Sequence, residues 1–141
     1  MAQTALDGVD GVLAAVGQHL GHSEWLAITQ ERVDQFAEAT DDHQWIHVDP
    51  ERAERESPFG RTIAHGYLTL SLVSSLIAQI VEATGFRMGI NYGADKIRFP
   101  TPVPVGSRIR ASATLDEATP FEGGDKPVCV AETVSRLYGG E

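Results

Sequence analysis

Residues 66–81 read GYLTLSLVSSLIAQIV, sixteen consecutive positions without a charged side chain. The apolar residues Leu68, Leu70, Leu72, Val73, Leu76, Ile77, Ile80 and Val81 fall almost all round a helical wheel. A helix that is apolar on nearly every side is buried on nearly every side. The stretch falls short of the roughly 20 apolar residues of a membrane span, and Ser, Thr and Gln interrupt it. It therefore predicts one long helix inside a core, ended by Gly85 after Thr84.

On the N-terminal side, Asp7–Val16 suits a short helix that Gly17 would end. Thr29 is placed to cap a second helix whose Val33, Phe36 and Ala37 make one apolar stripe. Residues 41–48 break that period and read as loop. Asp49-Pro50 combines an N-cap with proline at the first helical position, opening a short charged helix to about Glu56. Ser57-Pro58-Phe59-Gly60 is turn chemistry.

On the C-terminal side the pattern changes to strands. Arg87–Tyr92 and Asp95–Phe99 flank a turn at Gly93, and Pro100, Pro102 and Pro104 forbid a continuous central strand after them. Residues 108–115 alternate, with Ile109, Ala111, Ala113 and Leu115 on one face. A loop at Glu122–Asp125 leads to a last strand, Val128–Leu137. Helices followed by a run of strands make an α+β fold, an antiparallel sheet around the central helix. No repeat or linker divides the 141 residues, so one domain over 1–141 is expected.

Composition narrows the function. Twenty acidic against eleven basic residues leave a net charge of −9, which argues against a general nucleic-acid binder. The single cysteine, Cys129, excludes an intrachain disulfide framework and any CxxC pair. The opening MAQTALDGVDG has no basic segment followed by an apolar run, so no secretory signal is expected and the cytoplasm is the default location.

The densest cluster of functional side chains is Asp41-Asp42-His43-Gln44-Trp45-Ile46-His47-Val48-Asp49, with Ile63-Ala64-His65-Gly66 at the mouth of the buried helix. A metal site would need His43 and His47 at i, i+4 on one helical face, which the loop before Asp49-Pro50 does not favour, and no metal is expected. His43 reads as solvated. Asp42 and His47 can instead converge on one water as the base and acid of an addition next to a carbonyl. The amide of Gly66, at a helix start, is the candidate donor to an enolate oxygen. The His65 side chain reads as a helix-start residue hydrogen-bonded locally. Gly66→Ala is expected to add a methyl group and little else.

Asp42-x-x-x-x-His47, then Asp49, Ala53, Ile63-Ala64-His65-Gly66 and a Ser-containing apolar helix, resembles the MaoC-like dehydratases, which include the (R)-specific enoyl-CoA hydratases. Ile90-Asn91-Tyr92-Gly93, Asp95-Lys96-Ile97-Arg98-Phe99-Pro100 and Pro102–Ser107 look like the branch containing nodulation protein N relatives. Where that family usually has Gly-Asp-x-Asn-Pro-Leu/Ile-His, this chain has Asp41, Gln44 and Trp45 in place of glycine, asparagine and proline. The resemblance implies a hot-dog fold, with an antiparallel β-sheet wrapped around a long central α-helix. It implies hydration of trans-2-enoyl-CoA to (R)-3-hydroxyacyl-CoA, with Asp42 and His47 catalytic and Gly66 polarising the carbonyl. It also implies a supporting serine on the central helix at Ser74.

Coenzyme A would enter as part of the substrate, with no separate cofactor. Its phosphates need a local basic patch, for which Lys96, Arg98, Arg108 and Arg110 are candidates, Lys96 and Arg98 foremost. No Gly-x-Ser-x-Gly elbow surrounds Ser71 or Ser74, so neither is expected to be acylated. The same resemblance, and an unpaired sheet edge, imply a homodimer. A thioesterase of the same fold and a non-catalytic acyl-thioester-binding protein are the alternatives.

Overall fold

A computed structural model describes residues 3–91, 93–121, 128–131 and 136–140. The elements in order are β1 (Thr4–Asp7), α1 (Gly8–Ala14), β2 (His19–His22), β3 (Leu26–Ala27), α2 (Gln30–Thr40), α3 (Trp45–Val48), α4 (Pro50–Glu56), α5 (Gly66–Ser71), α6 (Val73–Ala78), β4 (Val81–Thr84), β5 (Arg108–Thr114), β6 (Ala118–Phe121), β7 (Val128–Ala131) and β8 (Arg136–Gly140). No helix among the described residues is long and apolar enough to cross a membrane.

The chain divides into two units, and each is built differently. The first comprises Met1–Glu24, Ser75–Arg98 and Ala111–Leu137. In it β1 and β4 run parallel, from Thr4 opposite Val81 to Asp7 opposite Thr84. Asp7 leads straight into α1, which places Val12 and Ala15 beside Leu6 and Leu115 in a small core flanked by Leu20, Val81 and Phe86. The helix is shorter than the expected Asp7–Val16: it ends at Ala14 with Ala15 as C-cap, and Gly17, at φ +84°, belongs to the turn that follows. β2 pairs antiparallel with the second half of β5, its register shifting between His19 and Gly21. β6 and β7 form an antiparallel pair.

The second unit comprises Trp25–Ser74, Phe99–Arg110 and Tyr138–Glu141, and it carries the chemistry. β3 pairs antiparallel with the start of β5, Leu26 opposite Ile109. Thr29 accepts a hydrogen bond from the Arg32 amide and starts α2, whose Val33 and Ala37 are fully buried. Asp49 accepts from the Arg52 amide and starts α4 with Pro50 in its first turn. Between α4 and α5, residues 62–64 lie extended beside 103–105, with Ala64 N–H on the Val103 carbonyl at 2.8 Å and Val105 N–H on the Thr62 carbonyl at 2.9 Å. This strip delivers Ile63 and His65 to the site.

Several expectations need correction. The apolar run at 66–81 is two six-residue helices, not one long helix. The Ser71 hydroxyl donates to the Tyr67 carbonyl at 2.6 Å, a back-bond that competes with the helical ladder just where α5 ends. Helix geometry then ends at Ala78, because Gln79 and Ile80 close tight i→i−3 bonds and the β-branched Val81 pairs with Thr4. Gly85 follows a strand rather than a helix, with φ +80°.

Residues 87–91 and 95–99 are irregular and exposed, not strands; Lys96 at φ 53° interrupts any extended run. Tyr92 lies outside the described residues. The loop expected at 41–48 contains one helical turn, α3, closed by Asp49 N–H on the Trp45 carbonyl at 3.1 Å. Residues 108–114 alternate as their pattern requires, with Ile109, Ala111 and Ala113 buried. The last expected strand is β7 and β8; residues 132–135 between them, and the Glu122–Asp125 loop, lie outside the described residues.

Candidate functional site

Asp42, His47 and His65 converge in the second unit, one ligand-type atom of each lying within 4.8 Å of the others. Asp42 stands just after α2. Asp41 terminates that helix in the left-handed region, at φ 59° and ψ 22°, a conformation that turns the chain away from the helix. This explains why glycine is the family's usual residue there and why aspartate, among the side chains that tolerate this region best, can replace it. Asp42 itself is half-exposed, and its Oδ1 accepts from the Gln44 amide at 3.4 Å.

His47 is buried on α3. Its Nδ1 lies 2.6 Å from the Ile63 carbonyl, which can only accept, so Nδ1 carries the proton. In the neutral ring the lone pair therefore resides on Nε2. Burial pushes the His47 pKa down, aided by the nearby His65 and opposed by the Ile63 carbonyl and the Asp42 carboxylate. The backbone of α3 is fixed as well. Gln30 Nε2 donates to the His47 carbonyl at 2.7 Å, and the Thr62 hydroxyl donates to Gln30 Oε1 at 2.6 Å. Ile63 N–H completes the contact on the Ile46 carbonyl at 3.0 Å.

His65 is 2% exposed, and its bond is not local. Its Nε2 lies 2.9 Å from the backbone carbonyl of Asp42, 23 residues earlier, and 4.0 Å from the Asp42 carboxylate. Its ring stacks on that of His47, centroids 3.9 Å apart and planes 24° apart, and also meets Phe36 at 4.9 Å. Each imidazole commits one nitrogen to a backbone carbonyl, which leaves one ring nitrogen apiece for other work. His43 stays half-exposed, 3.6 Å from Glu38, and precedes α3, so the i, i+4 metal geometry does not arise.

Gly66 opens α5, and its missing Cβ has a specific consequence. A Cβ there would lie 2.7 Å from Phe99 Cδ2, so the aromatic ring sits directly on the glycine. Phe99 is 48% exposed and meets Tyr67 edge-on at 6.1 Å. Gly66→Ala is therefore not a bland change. Ser74 is exposed on α6 and, among the described residues, takes no part in the hydrogen bonds that hold Asp42, His47 and His65. Lys96 and Arg98 are exposed in the first unit, Arg98 donating to the Ile97 carbonyl at 2.9 Å. Arg108 and Arg110 lie over the Trp25 ring, 5.7 Å and 4.6 Å from its centroid.

Sequence reasoning missed the Ile63 carbonyl, Gln30, Thr62, Phe36 and Phe99. A backbone acceptor leaves no trace in the residue type. Gln30 reads as an ordinary first-turn residue of α2, so nothing in the sequence could have found it. Phe99 could have been suspected, since a glycine opening a helix often marks a close approach.

A carboxylate beside a buried, tautomer-fixed imidazole is the kind of pairing that acid–base chemistry uses. Residues 12–136 match the family described as "MaoC like domain", and the chain belongs to that family, the MaoC-like dehydratases, with their hot-dog fold. It is 48% identical over 145 residues to "3-hydroxyacyl-thioester dehydratase Z" of Mycobacterium tuberculosis, covering 92% of this chain and 95% of that protein. It is 50% identical over 130 residues to "Nodulation protein N" of Rhizobium leguminosarum bv. viciae, covering 89% of this chain and 78% of that one. Among solved structures it resembles the (R)-hydratase from A. caviae involved in PHA biosynthesis, with TM-score 0.65, 28% identity and coverage of 88% and 84% of the two chains.

Proposed function

We propose that this protein catalyses the reversible addition of water to a trans-2-enoyl thioester, giving the (R)-3-hydroxyacyl thioester, with coenzyme A as the carrier. The observation that carries the reading is the bond from His47 Nδ1 to the Ile63 carbonyl. It leaves the lone pair of the neutral ring on Nε2, and burial, which lowers the His47 pKa, favours that neutral form. Groups within 4.8 Å are close enough to be bridged by a single water.

Asp42 and His47 hold this water and remove a proton from it. Its oxygen attacks the β-carbon, and the electron pair of the double bond moves toward the thioester carbonyl. The same pair returns the proton to the α-carbon on the same face, so the elements of one water are added. The Gly66 amide, the first of α5 and without an intrahelical partner, donates to the thioester oxygen as charge grows there. For Ser74, exposed on α6, a supporting role rests on the family resemblance alone. Lys96 and Arg98 take the coenzyme A phosphates, and two chains associate as a homodimer.

Crotonyl-CoA tests the reading. Loss of its enoyl absorbance, with no free thiol and with (R)-3-hydroxybutyryl-CoA as product, is the expected result. Thiol release would assign a thioesterase instead, and an unchanged substrate that still binds would assign a binding protein.

A further inference from the structure

We propose that His65 is a positioning residue for the acid–base pair, one imidazole fixing both the backbone of Asp42 and the ring plane of His47. The inference rests on the reading of Asp42 and His47 as that pair. His65 touches both. Its Nε2–H donates to the Asp42 carbonyl at 2.9 Å, which ties down a half-exposed residue just after the left-handed turn at Asp41. Its ring covers that of His47 at 3.9 Å. The Ile63 carbonyl fixes the edge of the His47 ring and His65 fixes its face, so the direction of Nε2 is set by both.

A structural role alone explains this residue poorly. His65 Nδ1 is buried and has no hydrogen-bond partner among the described residues. A buried polar atom left unsatisfied costs about 1–3 kcal/mol, and a phenylalanine of similar shape would avoid that cost. Phe36 already packs against the same ring at 4.9 Å, so the surroundings are suited to an aromatic side chain. What phenylalanine lacks is the donor to Asp42. A misplacement of about 1 Å in a catalytic group is enough to cost on the order of 10²-fold in rate.

His65→Phe keeps the stack and loses the tether, whereas His65→Gln keeps an amide donor for the Asp42 carbonyl and loses the stack. With crotonyl-CoA, His65→Phe should retain the denaturation midpoint of the parent protein while kcat falls about 10²-fold with KM little changed. His65→Gln should fall between that variant and the parent, a partial rescue that a space-filling role does not produce. A folded His65→Phe with kcat within about twofold of the parent would overturn the proposal. If His65→Phe does not fold, His65→Gln decides: a drop of about tenfold or more in kcat at steady KM supports the role, and parental kcat overturns it. Asp42→Asn, measured alongside, separates the two levels. Activity in Asp42→Asn removes the acid–base reading itself, whereas an inactive Asp42→Asn beside a fully active His65→Phe removes the positioning role alone.

Discussion

The imidazole rings of His47 and His65 stack with centroids 3.9 Å apart, and each ring gives one nitrogen to a different backbone carbonyl. His47 Nδ1 is committed to Ile63 and His65 Nε2 to Asp42, so each ring is held in one tautomer and one plane. Two short segments far apart in sequence, 42–47 and 63–65, are thereby locked together. The proximity of Asp42 and His47 is a product of that lock.

The pH dependence follows from the direction of the His47 shift. Burial lowers its pKa, so the neutral, basic form persists below the pH at which a free imidazole protonates. The acid limb of kcat/KM should therefore lie below the free-imidazole value, although the apparent value belongs to the coupled pair. Stability has a matching sign. As the pH falls from the free-imidazole pKa to the depressed folded value, the unfolded chain takes up a proton that the folded chain refuses, so stability declines across that window. A kcat/KM profile and denaturation midpoints over the same range check both, and an acid limb at or above the free-imidazole value contradicts the burial argument.

Asp41 adopts a left-handed backbone that disfavours most side chains. A residue with a Cβ in the left-handed region costs roughly 1–2 kcal/mol, less for aspartate and asparagine, whose side chains bond locally. Asp41→Gly should raise the free energy of unfolding by up to about 1 kcal/mol and so raise the denaturation midpoint, and Asp41→Val should lower both by more than that. Equal midpoints for the glycine and valine variants would remove this account of the φ of 59° at the end of α2.

Gly66 and Phe99 should behave as a coupled pair. Adding a Cβ at Gly66 puts it 2.7 Å from the ring, so Gly66→Ala must push Phe99 aside at a cost of about 1 kcal/mol, the low end for overpacking because the ring is half-exposed. Phe99→Ala combined with Gly66→Ala should recover most of that loss. Additive effects in the double mutant would show that the two residues do not share the space.

The proposed homodimer is tested by sedimentation, which should give about twice the 15.2 kDa chain mass. Met88, Ile90 and Ile97 are exposed in the first unit, large apolar side chains of the kind that association covers. A stable monomer with full activity contradicts the assembly.

What the sequence made legible was local. Thr29, Asp49-Pro50 and the alternation from Arg108 to Leu115 each act within a few residues, and the structure has each as read. Asp42 and His47 were legible as a candidate pair because residue types that move protons stand five apart, and the structure brings them together. The end of the buried helix was not, because Ile80 and Val81 continue its apolar run yet are claimed by Thr4, more than seventy residues away. The same non-locality hid His65. Its partner is a backbone carbonyl, and its ring matters only because Ile63 brings it against His47.

The central claim, that Asp42 and His47 act on one water, is tested most directly by a double-mutant cycle on crotonyl-CoA hydration. Asp42→Asn and His47→Gln should each lower the rate by roughly 10²–10⁴-fold, and the double mutant should be little worse than either alone, since a shared water makes the two residues one unit. Near-normal hydration by Asp42→Asn, or losses that simply multiply in the double mutant, would contradict it.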